Sequence, residues 1–344
     1  MLAPFKFLQT IRNQIQVRIK YGPEFIADIE KVKVGLTPKR CVYKEEPHCL
    51  YYYPGKDKKN IPVLLVYSLI NRPYIFDLRP KRSLIEYLCS NGFDVYLLDW
   101  GDPFPETGCC SIADLVCGTL HRCVSWILRH HKISSIRLLG YCMGGTFATI
   151  YTALYPEHVD RLVLLTTPLG NDEGGVLQKI ASNIDWSKGI EQTNLVSGRF
   201  LKWAFNSIRP SINIKKEQDF WQNFDKDEFL EHFLPVEKWS NDTPDVPEHA
   251  FYEFLDLCFK RDLFKTGHIK LDNCNVDFTK VKCPVFSVAA QHDWIIPPTA
   301  LETVQKVLPD AQHKTYLLPG GHIGIVVGKQ AVVLWNAIKE FLDS

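Results

Sequence analysis

Three absences narrow this sequence before any motif is read. Charge of one sign is not in excess: 40 Lys and Arg meet 39 Asp and Glu, for a formal net charge of +1. Nucleic-acid binding draws on a clustered basic surplus, so no nucleic-acid partner is expected. Long apolar runs are missing. The longest, "IPVLLVYSLI" at 61–70, is far too short to span a bilayer and reads as a buried strand. The opening "MLAPFKFLQTIRNQIQVRIK" has neither a continuous apolar stretch nor a small-residue cleavage site, so neither a secretory leader nor a transmembrane span is expected. The eleven cysteines contain no C-x-x-C pair, which argues against structural zinc. Cys117, His121 and Cys123 are spaced as core and rim positions of one helix rather than as ligands. No metal and no cofactor is expected, and the thiols are expected to be reduced in a cytoplasmic protein. Internal repeats and low-complexity segments are absent too.

What is present is the material of a large α/β core. A chain of 344 residues, 46% apolar, buries about three-quarters of the surface its unfolded form exposes. From residue 61 apolar runs alternate with helical patterns. Strands are expected at 61–70, 93–100, 135–142, 161–170, 283–293 and 313–322. Helices are expected at 81–92, 111–131, 146–158, 300–310 and 328–344, with Ser111 as an N-cap and Gly92 just past a helix end. Strands that are continuously apolar and alternate with helices make a mostly parallel sheet with helices on both faces.

Residues 171–275 interrupt this rhythm and hold Trp186, Trp203, Trp221 and Trp239. So long a connection is expected to be an inserted cap over the C-terminal ends of the strands, where such sheets bind ligands. Most of these aromatics would form the cap's own core, and one or two would line a channel. The expected organisation is an N-terminal helical or extended segment (1–60), a core (61–170 and 276–344) and a cap (171–275). Leu8, Ile11, Ile15 and Ile19 give the first segment an amphipathic helical pattern, read first as docking on its own domain and second as a helix for a partner or a lipid surface.

The chemistry centres on "RLLGYCMGGTFATIY" at 137–151. A strand, a sharp turn and a helix meet at Gly140-x-Cys142-x-Gly144, followed by Gly145. This is a nucleophile elbow with cysteine at its apex, and the fold it implies is the α/β-hydrolase fold. In that fold the acid and the histidine follow the nucleophile in chain order. Asp293 ends a late strand in "AAQHDWIIPP", and His322 lies in the glycine-rich loop "LPGGHIG" after the last strand. Asp99 also ends a strand but precedes the nucleophile, so it reads as structural. His322 would take the proton of Cys142, and Asp293 would hold the imidazole. The Met143 backbone N–H would be one oxyanion donor. The second would come from Leu69, Ile70 or Asn71, with Ile70 the choice made here.

Cysteine suits a particular task. A thiolate that attacks a thioester makes another thioester, so the exchange is nearly balanced and the acyl group stays activated. A serine ester would lose part of that activation. An acyltransferase drawing on acyl-CoA and passing the acyl group to an alcohol fits this chemistry.

The chain resembles the polyhydroxyalkanoate synthases, particularly the short catalytic subunits of the two-subunit classes. "VYSLINRPYIFDL" (66–78), "GFDVYLLDWGDP" (92–103), "LLGYCMGGTFATIY" (138–151), "LPVEKWSNDTPDVPEHAFYEF" (234–254), "QHDWIIPP" and "GGHIG" are collinear with that family's blocks. The cap block with Glu237-Lys238-Trp239 and Asp242-x-Pro244 is the one a generic hydrolase would not share. The resemblance implies that (R)-3-hydroxyacyl groups, short ones such as 3-hydroxybutyryl, pass from CoA thioesters into a polyester. It places the family's catalytic cysteine, aspartate and histidine on Cys142, Asp293 and His322. It implies as partners acyl-CoA, the growing polyester chain and a second synthase subunit, allows a homodimer, and implies work at the polyester granule surface. This sequence departs from the family at Trp294, where histidine is common, at Met143, where a polar residue is common, and at Asp102, where an aromatic is frequent. Two other readings compete: a thioesterase or depolymerase on the same fold, and a non-catalytic granule or partner-binding protein. Arg72 reads either as a contact for CoA phosphates or as a structural loop residue. The acidic run "DKDEFLEHF" (225–233) reads as a solvated helix face.

Overall fold

Strands that are apolar on both faces can only sit in the middle of the molecule, and here they do. The computed structural model describes residues 29–56, 61–170, 194–208, 210–267, 269–272, 274–328 and 330–344, with Leu177 and Ala181. The central sheet consists of β1 (Arg40–Glu45), β2 (His48–Tyr53), β3 (Val63–Val66), β4 (Val95–Asp99), β5 (Ile136–Tyr141), β6 (Val159–Leu165), β7 (Pro284–Ala290) and β8 (Gln312–Leu318). Their order across the sheet is β1-β2-β4-β3-β5-β6-β7-β8. From β4 to β8 neighbouring strands run parallel. β1 and β2 add an antiparallel margin. Along β3 the side chains alternate: Leu64 and Val66 join the apolar layer on one face, Val63 and Leu65 that on the other.

Helices cover the sheet where polar caps start them. α1 (Leu84–Ser90) begins at Ser83, whose hydroxyl accepts from the Glu86 N–H at 2.9 Å. Gly92, just past its end, has φ 92°. Ser111 accepts from the Asp114 N–H at 3.0 Å and starts a π-helical stretch, Asp114–Leu120, which continues as α2 (His121–His131). α3 (Met143–Leu154) follows the elbow and is buried almost throughout. Between β6 and β7 the described chain forms α4 (Gly198–Ile208), α5 (Pro210–Asn223), α6 (Asp227–Asn241) and α7 (Glu248–Leu255). α8 (Ala300–Val307) and α9 (Ala331–Asp343) complete the core.

The differences from the sequence reading have local causes. The strand expected at 61–70 stops at Val66, because the chain turns away into a loop in which Asn71 has φ 64°. β1 and β2 were not separated from the N-terminal segment by periodicity, since β1 is half-solvated and lacks a clean apolar face. Thiol reduction is also not uniform. β1 and β2 pair so that the Cα atoms of Cys41 and Cys49 lie 6.3 Å apart, and these two are joined as a disulfide; Cys142 is free. His121 stacks on Tyr155 with ring centroids 4.3 Å apart, as a packed helix residue. The amphipathic segment at Leu8–Ile19 and Trp186 lie outside the described residues. Among the described residues no helix is long and apolar enough to cross a membrane.

Candidate active site

The elbow forms because three backbones converge at it. Cys142 follows β5 directly and takes φ 53°, ψ −126°, a conformation that costs on the order of 1–3 kcal/mol for a residue with a Cβ. Its N–H donates to the Leu165 carbonyl at 2.9 Å, and its carbonyl accepts from the Gly145 N–H at 2.9 Å. A Cβ at Gly140 would lie 2.4 Å from the Gly145 Cα, and one at Gly144 would lie 2.2 Å from the Val66 carbonyl oxygen. Only glycine lets β3, β5 and α3 approach this closely. The approach aims the Cys142 side chain past the sheet into a cavity.

Two late loops bring the other polar groups to the thiol. Asp293 is buried at the end of β7. Its Oδ1 accepts from the backbone N–H groups of Ile295 and Ile296 at 2.9 and 3.0 Å. Its Oδ2 accepts from His322 Nδ1 at 2.6 Å. His322 and Cys142 line the same cavity. Burial alone would strip the ring of its proton. The Asp293 carboxylate and then the nearby Cys142 sulfur outweigh burial and raise the His322 pKa to about 10. The three residues singled out in the sequence are therefore brought together, Asp293 bonded to His322 and His322 sharing the cavity wall with Cys142. The His322 loop is tied down twice: the His292 N–H donates to the Gly320 carbonyl at 2.8 Å, and the Tyr141 hydroxyl donates to the His322 carbonyl at 3.0 Å. Tyr141 escaped the sequence reading although it lies inside the elbow motif, because the variable position of that motif carries no chemical signal of its own.

The expected oxyanion donors are placed differently. Met143 is the first residue of α3, so its N–H has no acceptor within the helix and points from the positive helix end. Ile70 lines the same cavity, but its N–H donates to Ser68 Oγ at 3.0 Å.

The cavity encloses about 1200 Å³ of empty space, open mouth included. Cys142 and His322 sit in a largely apolar wall built by Tyr67, Trp239, Phe251, Phe254 and Trp294 among others. Of the tryptophans expected in the cap, Trp239 lines this cavity. Trp221 packs on Phe220, and Trp203 is exposed. Trp239 and its neighbours also fix α6 to the core. Trp239 Nε1 donates to the Arg72 carbonyl at 2.8 Å, and Asn71 Nδ2 donates to the Trp239 carbonyl at 3.2 Å. Arg72 bridges Asp242, at 3.1 Å, and Asp102. Arg72 is thus a clamp between the loop after β3 and the end of α6, and Asp102 is one of its anchors. The acidic run at 225–233 is, as read, exposed at its charges, while Phe229 and Phe233 turn inward against Phe220.

A cysteine sulfur beside a protonated imidazole, at the wall of an apolar cavity and at a helix N-terminus, is equipped to exchange acyl groups. Residues 61–329 match the family model for the alpha/beta hydrolase fold, and residues 13–88 match that for the Poly-beta-hydroxybutyrate polymerase (PhaC) N-terminus. The chain is 32% identical over 349 residues to the Poly(3-hydroxyalkanoate) polymerase subunit PhaC of Allochromatium vinosum, covering 99% of this chain and 98% of that one. It is 31% identical over 348 residues to the subunit of the same name from Thiocystis violacea, again covering 99% and 98%. Among solved structures it is similar to a carboxylesterase of Nitrososphaera gargenis, with TM-score 0.52 and 15% identity over 89% of this chain and 98% of that one. That last likeness concerns the fold alone.

Proposed function

The chain belongs to the poly(3-hydroxyalkanoate) polymerase family of acyltransferases, and from that premise we propose that it joins short (R)-3-hydroxyacyl units, such as 3-hydroxybutyryl, through an acyl-thioester on Cys142. The observation that carries this reading is the pairing of His322 with Asp293 beside Cys142 at the wall of an apolar cavity.

In the first half-reaction His322 already holds the proton that Cys142 gives up, and the sulfur attacks the thioester carbonyl of the acyl-CoA. The oxyanion is met by the Met143 N–H and by the Ile70 N–H, which must first leave Ser68 Oγ. The carbon–sulfur bond to CoA breaks, and CoA leaves as a thiol with the proton from His322. In the second half-reaction a 3-hydroxyl group attacks a thioester carbonyl, forming the ester C–O bond as the C–S bond breaks. His322 is the base for that hydroxyl, because both Asp293 oxygens are already occupied, one by His322 and one by two backbone N–H groups. Asp293 holds the ring and supports its positive charge. The apolar wall keeps water from competing with the hydroxyl. On the same reading the chain works in the cytoplasm at the polyester granule surface with a second synthase subunit, and a homodimer is compatible with it.

The test is the fate of the acyl group. Purified protein incubated with (R)-3-hydroxybutyryl-CoA is expected to release CoA and deposit an insoluble polyester. Stoichiometric free 3-hydroxybutyrate in place of polymer would make the chain a thioesterase and overturn the proposal.

A further inference from the structure

The cavity that holds Cys142 changes character where α4 forms its rim. Lys202 and Asn206, four residues apart and therefore on one helix face, both line it, and Asn206 is exposed, which marks this side as open. Lys202 Nζ donates to Asn241 Oδ1, and among the described residues no carboxylate pairs with it. Beside Lys202, Trp203 is 62% exposed, and Arg199, one turn earlier, is exposed as well. An exposed indole and cations that meet no carboxylate among the described residues add little to the stability of α4, whose apolar side is already buried through Leu201 and Ala204.

We propose that Arg199, Lys202 and Trp203 form the docking site for the nucleotide end of acyl-CoA, with its phosphates on the two cations and its adenine on the indole. The site deepens the function proposed above and rests on it. The acyl thioester must reach Cys142 through an apolar cavity, so the acyl group and the pantetheine arm thread inward. The phosphates cannot follow without losing their hydration. They come to rest at the rim, and α4 is where the rim offers charge-assisted donors. Next to them is the largely exposed indole of Trp203, held on one side by the Phe200 ring 5.8 Å away, and an exposed aromatic face stacks on any base. The site contributes to binding the donor and to orienting its thioester, and takes no part in bond making.

The test compares two donors in steady state: (R)-3-hydroxybutyryl-CoA and (R)-3-hydroxybutyryl-pantetheine, which lacks the nucleotide. Released thiol is measured for the wild type, for Arg199→Ala/Lys202→Ala and for Trp203→Ala, an exposed position whose truncation removes nothing from the core. In the wild type the pantetheine thioester is expected to show a KM at least about tenfold above that of the CoA thioester, the size of one or two lost charged hydrogen bonds. In both variants the ratio of the two KM values is expected to fall toward one. A ratio that stays within twofold of the wild-type value in both variants, with CoA release otherwise intact, overturns the docking site and leaves the acyl-CoA reading standing. A wild type that releases thiol from neither donor overturns the reading and the site together.

Discussion

Cys142→Ala is expected to lower CoA release from (R)-3-hydroxybutyryl-CoA by at least about 10³-fold, the scale seen when a covalent nucleophile is removed. The loss should not come from unfolding. The elbow is fixed by the close approach of Gly140 and Gly144 to neighbouring backbones and by the two hydrogen bonds of the Cys142 main chain, and alanine keeps all of these. The side chain is only partly buried, so its truncation leaves a small void facing an existing cavity. The expected signature is therefore lost turnover with a thermal midpoint close to that of the parent, measured on the same preparation. CoA release that survives the substitution would mean that another group attacks the thioester.

His322→Gln is expected to be almost as damaging, at about 10²–10⁴-fold, because one ring serves both half-reactions as proton acceptor and donor. Its pH dependence carries the finer test. The folded pKa of His322 is raised to about 10 from an ordinary value of 6.5. The charge pairing with Asp293 and Cys142 therefore stabilises the fold fully below the ordinary value and is lost as pH rises through about 10. Across the neutral range the wild type keeps an imidazolium beside the sulfur. Without it the sulfur loses the positive charge beside it, so alkylation of Cys142 by iodoacetamide at pH 7 should slow roughly tenfold. An alkylation rate that is the same in His322→Gln and wild type would show that the ring and the sulfur are not coupled.

The parts of this account that were legible in the sequence are those with a local signature. Alternation of apolar runs with helical patterns marked β3 to β7, since strands buried on both faces must be apolar throughout, and set the largely exposed edge strand β8 after them. Cys142, Asp293 and His322 could be placed because each sits at a strand end, and chain order ranked them in a way that distance along the chain could not. The remainder depends on tertiary contact. Nothing in "INRPY" told whether Arg72 faced a ligand or a carboxylate; the answer lies 170 residues later in Asp242, and also in Asp102. The Ile70 N–H could be assigned to a loop but not to an acceptor, because its partner, Ser68 Oγ, depends on one side-chain rotamer. The strand expected to run to residue 70 ended at Val66 because the cavity needs a loop there, and apolar composition does not distinguish a loop that lines a pocket from a strand that lines a core.

The measurement that bears most directly on the central claim is the mass of the Cys142 peptide from enzyme quenched in acid after a limiting amount of (R)-3-hydroxybutyryl-CoA. The account predicts a ladder of adducts on Cys142, spaced by one hydroxybutyryl unit and removed by neutral hydroxylamine as a thioester is. An unmodified Cys142 peptide in enzyme that has released CoA, or the same ladder on another residue, would contradict it.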